Sequence, residues 1–234
     1  MNDREIDELL NRAKVSTGPE TESLERIVQS IAGSMRPARR LPPRWLLAGE
    51  VVLAGMLVSL AGAAGLGFHG IARMGVLERV AVFSALGILA LAAAGEVVNA
   101  MIPGSRRRIS SSGLLVAAGG CLAAVLAACF RDYQTTHFLH AGLVCLGIGL
   151  LHASLAGLLS WLVLRRGFAV DPVSAGLAAG TMAGLAGVGM LELHCPNFQT
   201  AHLLVWHLGV LLVSAGSGAL GAWWLLSTST NRET

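Results

Sequence analysis

The sequence predicts an all-α membrane protein, a bundle of six transmembrane helices preceded by a short cytoplasmic N-terminal helical segment. Of 234 residues, 54% are hydrophobic and 13% are charged, against about 25% charged in ordinary soluble domains. Six apolar stretches are 18 to 27 residues long, which suits a hydrocarbon core about 30 Å thick. Helices are favoured over strands, because backbone amides in lipid must be satisfied within one segment. The six stretches are Trp45–Phe68, Leu77–Met101, Gly113–Phe130, Phe138–Leu164, Val173–Leu193 and His202–Ser227.

The head, Met1–Arg44, precedes the bundle (residues 45–227) and holds 15 of the 31 charged residues. Two short amphipathic helices are predicted there from apolar residues at helical spacing, and Thr17–Glu20 resembles a capping box between them. A segment this small lacks a core of its own, so it stays loose, lies on the membrane or docks on a protein partner. The candidate docking residues are Ile6, Leu9, Leu10, Leu24, Ile27, Val28 and Ile31.

Arginines predict the topology of the bundle. Ten of them lie at the end of the head from Arg36 onward, in the second and fourth loops and in the tail (residues 228–234), whereas only three lie in or next to the other loops. The positive-inside rule therefore places both termini of this multi-pass protein in the cytoplasm. The lipid bilayer is the expected surrounding, and a net charge of only +3 favours no direct nucleic-acid partner.

Small residues recur every fourth position in three of the predicted helices. Such ridges let helix backbones approach closely, so they predict a compact bundle and leave a homo-oligomer open. The three ridges are Gly176, Gly180 and Gly184; Gly149, Ala153 and Gly157; and Ser214, Gly218 and Ala222.

Polar residues inside the membrane are costly, so each is a candidate site. We expect Glu50 and Glu96, near the cytoplasmic ends of the first two helices, to share a proton or to pair with Arg44 or Arg106. The two membrane histidines would relay protons or ligate haem, or would simply hydrogen-bond to a facing helix. The full set is Glu50, Glu96, Glu192, His152 and His207.

The predicted outer side concentrates imidazoles and thiols. These groups are ligands of zinc, copper and other soft cations, and this side of the membrane also permits a disulfide. The seven-residue spacing of Cys195 and His202 across the last outer loop is not a known metal motif, so the clustering carries the argument. The alternative is that these histidines simply lie at the membrane interface and that the thiols are buried without a function. The candidate sensor or metal ligands are Cys145, Cys195, His194, His202, His140 and His137.

The last third of the chain resembles the NrsF family. The resemblance rests on Cys145 to Leu164, on Glu192-Leu193-His194-Cys195-Pro196 and on Trp206-His207, and it extends back to Leu41-Pro42-Pro43. It implies a six-span bacterial inner-membrane protein that negatively regulates sigma F, an extracytoplasmic-function sigma factor. The family's two cysteines, implicated in the response to oxidising heavy metals, would map to Cys145 and Cys195. The chain departs from the family at Asn197 and His207, where an acidic residue and a tyrosine are usual, and in its longer head.

The resemblance agrees with the absence of enzyme motifs, since the sequence has no GxxxxGK[ST], HExxH, CxxC or GxSxG. We therefore expect a membrane-bound anti-sigma factor rather than an enzyme. Its head would bind a sigma factor, and Cys145 and Cys195 would sense a metal or redox signal outside. No cofactor is required by the sequence, and a soft metal ion at the outer face is the candidate. A small metal or solute transporter lined by Glu50, Glu96, His152 and His207 is the second hypothesis, and a structural membrane subunit is the third.

Overall fold

The computed structural model describes residue 8 and residues 20–34, 41–105, 109–167 and 169–230. The chain divides into two compact units, Met1–Arg40 and Leu41–Thr234. In the first unit, helix α1 spans Glu20–Ser34, and Leu24, Ile27, Val28 and Ile31 are each more than half exposed on it. The predicted docking residues Ile6, Leu9 and Leu10 lie outside the described residues.

The second unit contains six helices that are long and apolar enough to cross a membrane, so the predicted fold class is confirmed. Their bounds lie within three residues of the predicted ones, and no strand forms in the described parts of the chain. The last helix, α8, is continuous but contains a π-helical turn. The helices are α2 (Arg44–Leu66), the short α3 (His69–Arg73), α4 (Val76–Met101), α5 (Ser111–Cys129), α6 (Phe138–Leu164), α7 (Pro172–His194) and α8 (Thr200–His202, Leu203–His207 and Leu208–Thr230).

Local sequence accounts for where several helices begin. Ser110 caps α5 by accepting a hydrogen bond from the backbone N–H of Gly113 at 3.0 Å. Asp171 caps α7 in the same way, with Pro172 in the first turn, where its missing N–H costs nothing. At the start of α4, the carboxylate of Glu78 accepts a hydrogen bond from the N–H of Gly75. Each cap satisfies a backbone donor that the helix itself leaves without a partner.

Helix α7 is the centre of the bundle. Within its most apolar part, 72% of the residues are buried, against 22% to 44% for the other five spans. Its predicted ridge of small residues lies against α8: a Cβ atom added at Gly176 would stand 2.3 Å from the carbonyl oxygen of Gly218, and one at Gly180 would stand 2.3 Å from that of Ser214. The two backbones are therefore in direct contact, which only glycine permits at these positions.

Consecutive spans alternate in direction, so the loops gather at two ends of the bundle. We call the end with residues 67–75, 130–137 and 195–199 the cysteine end, and the end with residues 102–105, 109–110, 165–167 and 169–171 the arginine end. The last loop of the cysteine end is shorter than the predicted one, because α7 extends to His194 and α8 begins at Thr200. Glu192 and His194 thus lie in the last turn of α7, and His202 lies at the start of α8. All three side chains are consequently held on helices.

Candidate metal or redox site

Two cysteines that are 50 residues apart in sequence meet at the cysteine end. The Sγ atoms of Cys145 on α6 and Cys195 just after α7 are 3.4 Å apart, so the thiols are in contact but not bonded. Cys195 is buried and Cys145 is half-buried. The pair predicted from the resemblance is thus brought together by the fold.

Two histidines of α8 complete a group of four. Nε2 of His202 lies 3.7 Å from Sγ of Cys195, and the rings of His202 and His207 meet edge to face with centroids 5.3 Å apart. One potential ligand atom from each of Cys145, Cys195, His202 and His207 lies within 4.8 Å of the other three. Both histidines are fully buried. The arrangement is suited to holding a soft cation, which thiolates and imidazoles bind well.

The π-helical turn, Leu203–His207, is what aligns the two histidines. In an α-helix, residues five apart are separated by about 140° around the axis. In the π-turn, the backbone N–H of Leu208 bonds to the carbonyl of Leu203, five residues earlier, so residues five apart lie roughly one turn above each other. His202 and His207 can therefore face the same two sulfur atoms.

A carboxylate holds His207 in place. Nδ1 of His207 lies 2.7 Å from Oε1 of Glu192, and both side chains are fully buried. A carboxylate only accepts hydrogen bonds, so Nδ1 is the donor. Because Nδ1 is occupied in this way, Nε2 is the nitrogen of His207 that is available to a ligand.

The walls of the site come from all three loops of the cysteine end. A Cβ atom at Gly70, on α3, would stand 2.6 Å from the carbonyl oxygen of Glu192 and 2.8 Å from that of Cys195, so α3 packs directly over the end of α7. His194 reaches the carbonyl of Gly67 at 2.9 Å. Thr200 bonds through its hydroxyl to the carbonyl of Phe130 at 2.7 Å. The loop that carries Cys195 is thereby fixed on both sides.

The pKa of Cys195 is raised above its ordinary value. The largest cause is its hydrogen bond to Cys145, followed by burial, while His202 and His207 oppose the shift. Cys195 is therefore held as a thiol more firmly than a free cysteine. Burial contributes to the shift because desolvation disfavours the charged form of a thiol.

The other predicted outer ligands lie elsewhere. His137 and His140 are exposed at the start of α6, and His137 has a positive φ of 55°. His194 turns away towards Gly67 and the ring of His69, whose centroid is 5.8 Å from its own. In place of these three, the structure adds His207 and Glu192, which the sequence indicated only as intramembrane polar residues.

The remaining intramembrane polar residues have separate surroundings. Glu50 pairs with Arg166 at 2.8 Å, a partner that was not predicted, and the predicted partner Arg106 lies outside the described residues. Arg166 was missed because it is distant in sequence and only the fold brings it to α2. Glu96 is buried on α4. Nδ1 of His152 lies 2.8 Å from the carbonyl oxygen of Ile148, one turn earlier on its own helix.

Comparison with known proteins identifies the family. The family model described as NrsF, negative regulator of sigma F, matches residues 31–227. No curated protein and no solved structure matches the chain. Because the matched range covers the whole bundle and most of the sequence, the chain belongs to the NrsF family of negative regulators of sigma F.

Proposed function

We propose that this member of the family is an anti-sigma factor of the bacterial inner membrane that sequesters an extracytoplasmic-function sigma factor. Both termini lie in the cytoplasm, and a metal or redox signal at the cysteine end, outside, releases the sigma factor. The family supplies the regulatory role and a sigma factor as the partner. The observation that carries the sensing role is the 3.4 Å approach of Cys145 and Cys195.

The head is the proposed sigma-binding element. The apolar residues of α1 share one face at three- and four-residue spacing and are exposed. An amphipathic helix with an uncovered apolar face is suited to a groove on a protein partner. The family match begins at residue 31, so this role rests on the exposed face of α1 and not on the match.

The cysteine pair is the proposed sensor because of what it joins. Cys145 belongs to α6, and Cys195 belongs to the loop between α7 and α8. A bound cation or a disulfide would tie these elements together, and α7 runs from there to the arginine end. The signal shifts the bundle only if it binds one arrangement of these helices better than another.

Replacement of both sensor thiols tests the outer half of the proposal. We expect Cys145→Ser with Cys195→Ser to retain the sigma factor and to abolish its release, because serine binds soft cations poorly and forms no disulfide. A sigma-dependent reporter in cells exposed to Cd²⁺ or an oxidant measures release. The matched control is Cys121→Ser with Cys129→Ser, which removes two thiols outside the pair and leaves release intact. Normal release in the first double variant would exclude the sensor role.

Changes in the head test the inner half. Deletion of residues 1–35 removes α1 and should free the sigma factor while the bundle still inserts, so that the reporter is active without a signal. Ile27→Asp adds a charge to the apolar face and should do the same, whereas Gln29→Asp adds the same charge to the opposite face and should not. Co-purification of the sigma factor with each variant measures retention. Full retention after the deletion would refute the role of the head.

A further inference from the structure

We propose that Cys145, Cys195, His202 and His207 form one four-ligand site for a soft divalent cation such as Zn²⁺ or Cd²⁺, and that Glu192 is the positioning residue for His207. The role of this site in releasing a partner rests on the proposed function. The binding itself rests only on the geometry of the cysteine end.

The distances are close to those of a tetrahedral site. With metal–sulfur bonds of about 2.3 Å and metal–nitrogen bonds of about 2.0–2.1 Å, the edges of such a tetrahedron are about 3.3–3.8 Å. The two sulfur atoms are 3.4 Å apart, the pair Cys195 Sγ and His202 Nε2 is 3.7 Å apart, and all four ligand atoms lie within 4.8 Å of one another. Shifts of a few tenths of an ångström to about an ångström would therefore complete the coordination.

The burial of polar atoms indicates that the group of four side chains does more than pack the helices together. Nε2 of His207, which the proposal assigns to the cation, is buried and has no hydrogen-bond partner within the described residues. A buried polar atom without a partner is costly, so its presence calls for an explanation. A divalent cation among two thiolates, with a carboxylate behind one imidazole, supplies the positive charge that such an acceptor-rich site lacks.

Glu192 acts through His207. A metal-binding histidine commonly donates its other ring N–H to a carboxylate, which fixes the tautomer and the orientation of the ring. Nδ1 of His207 and Oε1 of Glu192 form this contact at 2.7 Å, and the arrangement leaves Nε2 with a lone pair in the neutral ring.

The chemistry is ligand exchange without electron transfer. Each thiol releases one proton to the solvent as its sulfur–metal bond forms, and each imidazole binds through an unprotonated nitrogen. Thiolate and imidazole favour Zn²⁺ and similar soft cations over Mg²⁺ and Ca²⁺, which prefer oxygen ligands. The bound cation would join α6, the 195–199 loop and α8, with α7 in contact through Glu192.

Cobalt binding tests the ligand set. The full chain in detergent, reduced with a phosphine, is titrated with Co²⁺, whose visible bands are intense in tetrahedral geometry and whose charge-transfer bands report thiolate ligands. We expect one Co²⁺ per chain in a tetrahedral site, displaced by Zn²⁺ or Cd²⁺.

His207→Asn is the sharpest variant, since an asparagine amide can still donate to Glu192 from near the Nδ1 position but has no counterpart of Nε2. We expect Co²⁺ to bind more than about 100-fold more weakly, because outer-shell partners alone are worth about 10–100-fold. His140→Asn makes the same change at an exposed histidine of the cysteine end and should bind as the wild type does. Unchanged affinity and spectrum in His207→Asn would overturn the site.

Glu192→Gln tests the positioning role. We expect Co²⁺ to bind about 10–100-fold more weakly with both thiolates still coordinated. In the His207→Asn background the same change should weaken binding no further, because the Nε2 ligand that Glu192 positions is already gone. A fully additive loss would refute the positioning role.

X-ray absorption spectroscopy at the zinc edge of the wild-type protein tests the ligand set even if His207→Asn fails to fold. Two sulfur and two nitrogen ligands are expected, and a shell of oxygen or of sulfur alone would overturn the proposal. The sigma-retention assay separates the two proposals. Cobalt binding as expected without a retained sigma factor would refute the proposed function alone, and a retained sigma factor released by oxidants with no cobalt bound would refute the metal site alone.

Discussion

The two ends of the bundle use polar residues in opposite ways. At the cysteine end, Glu192 and His207 pair at 2.7 Å with both side chains fully buried. At the arginine end, Glu50 and Arg166 pair at 2.8 Å with side chains 45% and 51% exposed. An apolar groove of 840 Å³ between α6, α7 and α8 also opens towards the arginine end, and Gly180 contributes to its wall.

The two ends therefore differ in what the residues between the helices do: packing dominates at one end, and an ionisable pair is buried at the other. Towards the arginine end the helices hold together by close contact of small residues, which needs no polar pair. The cysteine end buries a whole ionisable pair, Glu192 and His207, whose desolvation is costly unless the pair serves a purpose. Helix α7 joins the two ends, so three substitutions on or near it measure how far the ends differ.

The largest effect is expected from Glu192→Ala. The change leaves the Nδ1–H of His207 buried without an acceptor and should lower the free energy of unfolding by about 3–5 kcal/mol, the range for breaking one side of a buried pair. Unfolding of the metal-free protein in mixed micelles, followed by circular dichroism, provides the measurement. A loss below about 1 kcal/mol would mean that this end is no more sensitive than the exposed one.

An intermediate effect is expected from Gly180→Ala. The added Cβ would stand 2.3 Å from the carbonyl oxygen of Ser214, so α7 and α8 must move apart, at a cost of about 1–3 kcal/mol. Gly221→Ala on α8 meets nothing within 4 Å and should be neutral or stabilising by up to about 1 kcal/mol. The same unfolding assay compares them, and equal stability of the two variants would contradict direct backbone contact.

The smallest effect is expected from Glu50→Gln. An exposed ion pair is worth about 0–1 kcal/mol, so the variant should unfold within that margin of the wild type and should lose less than Glu192→Ala does. Repeating both measurements at high salt sharpens the test, because salt screens exposed pairs far more than buried ones. A larger loss for Glu50→Gln than for Glu192→Ala would reverse the proposed contrast between the ends.

The sequence indicated several residues of the site but did not show which of them belong together. The resemblance identified Cys145 and Cys195, and the clustering of imidazoles indicated His202. His207 and Glu192 were recognised as polar residues in the membrane, yet nothing in their spacing connects them to the sulfur atoms. Conversely, His137, His140 and His194 share the same end of the bundle and lie outside the group of four, because position near an interface does not determine where a side chain points.

The sequence by itself determined the six spans and their order, since length and apolarity decide what crosses a bilayer and hydrogen bonding within each segment requires a helix. It also determined the contact ridge of α7, since Gly176 and Gly180 carry no side chain to hold α8 away. Only the tertiary structure decided which imidazoles of the cysteine end meet the thiols. A single π-turn between His202 and His207 changes their relative direction, and the apolar pattern of this segment predicted only a continuous helix.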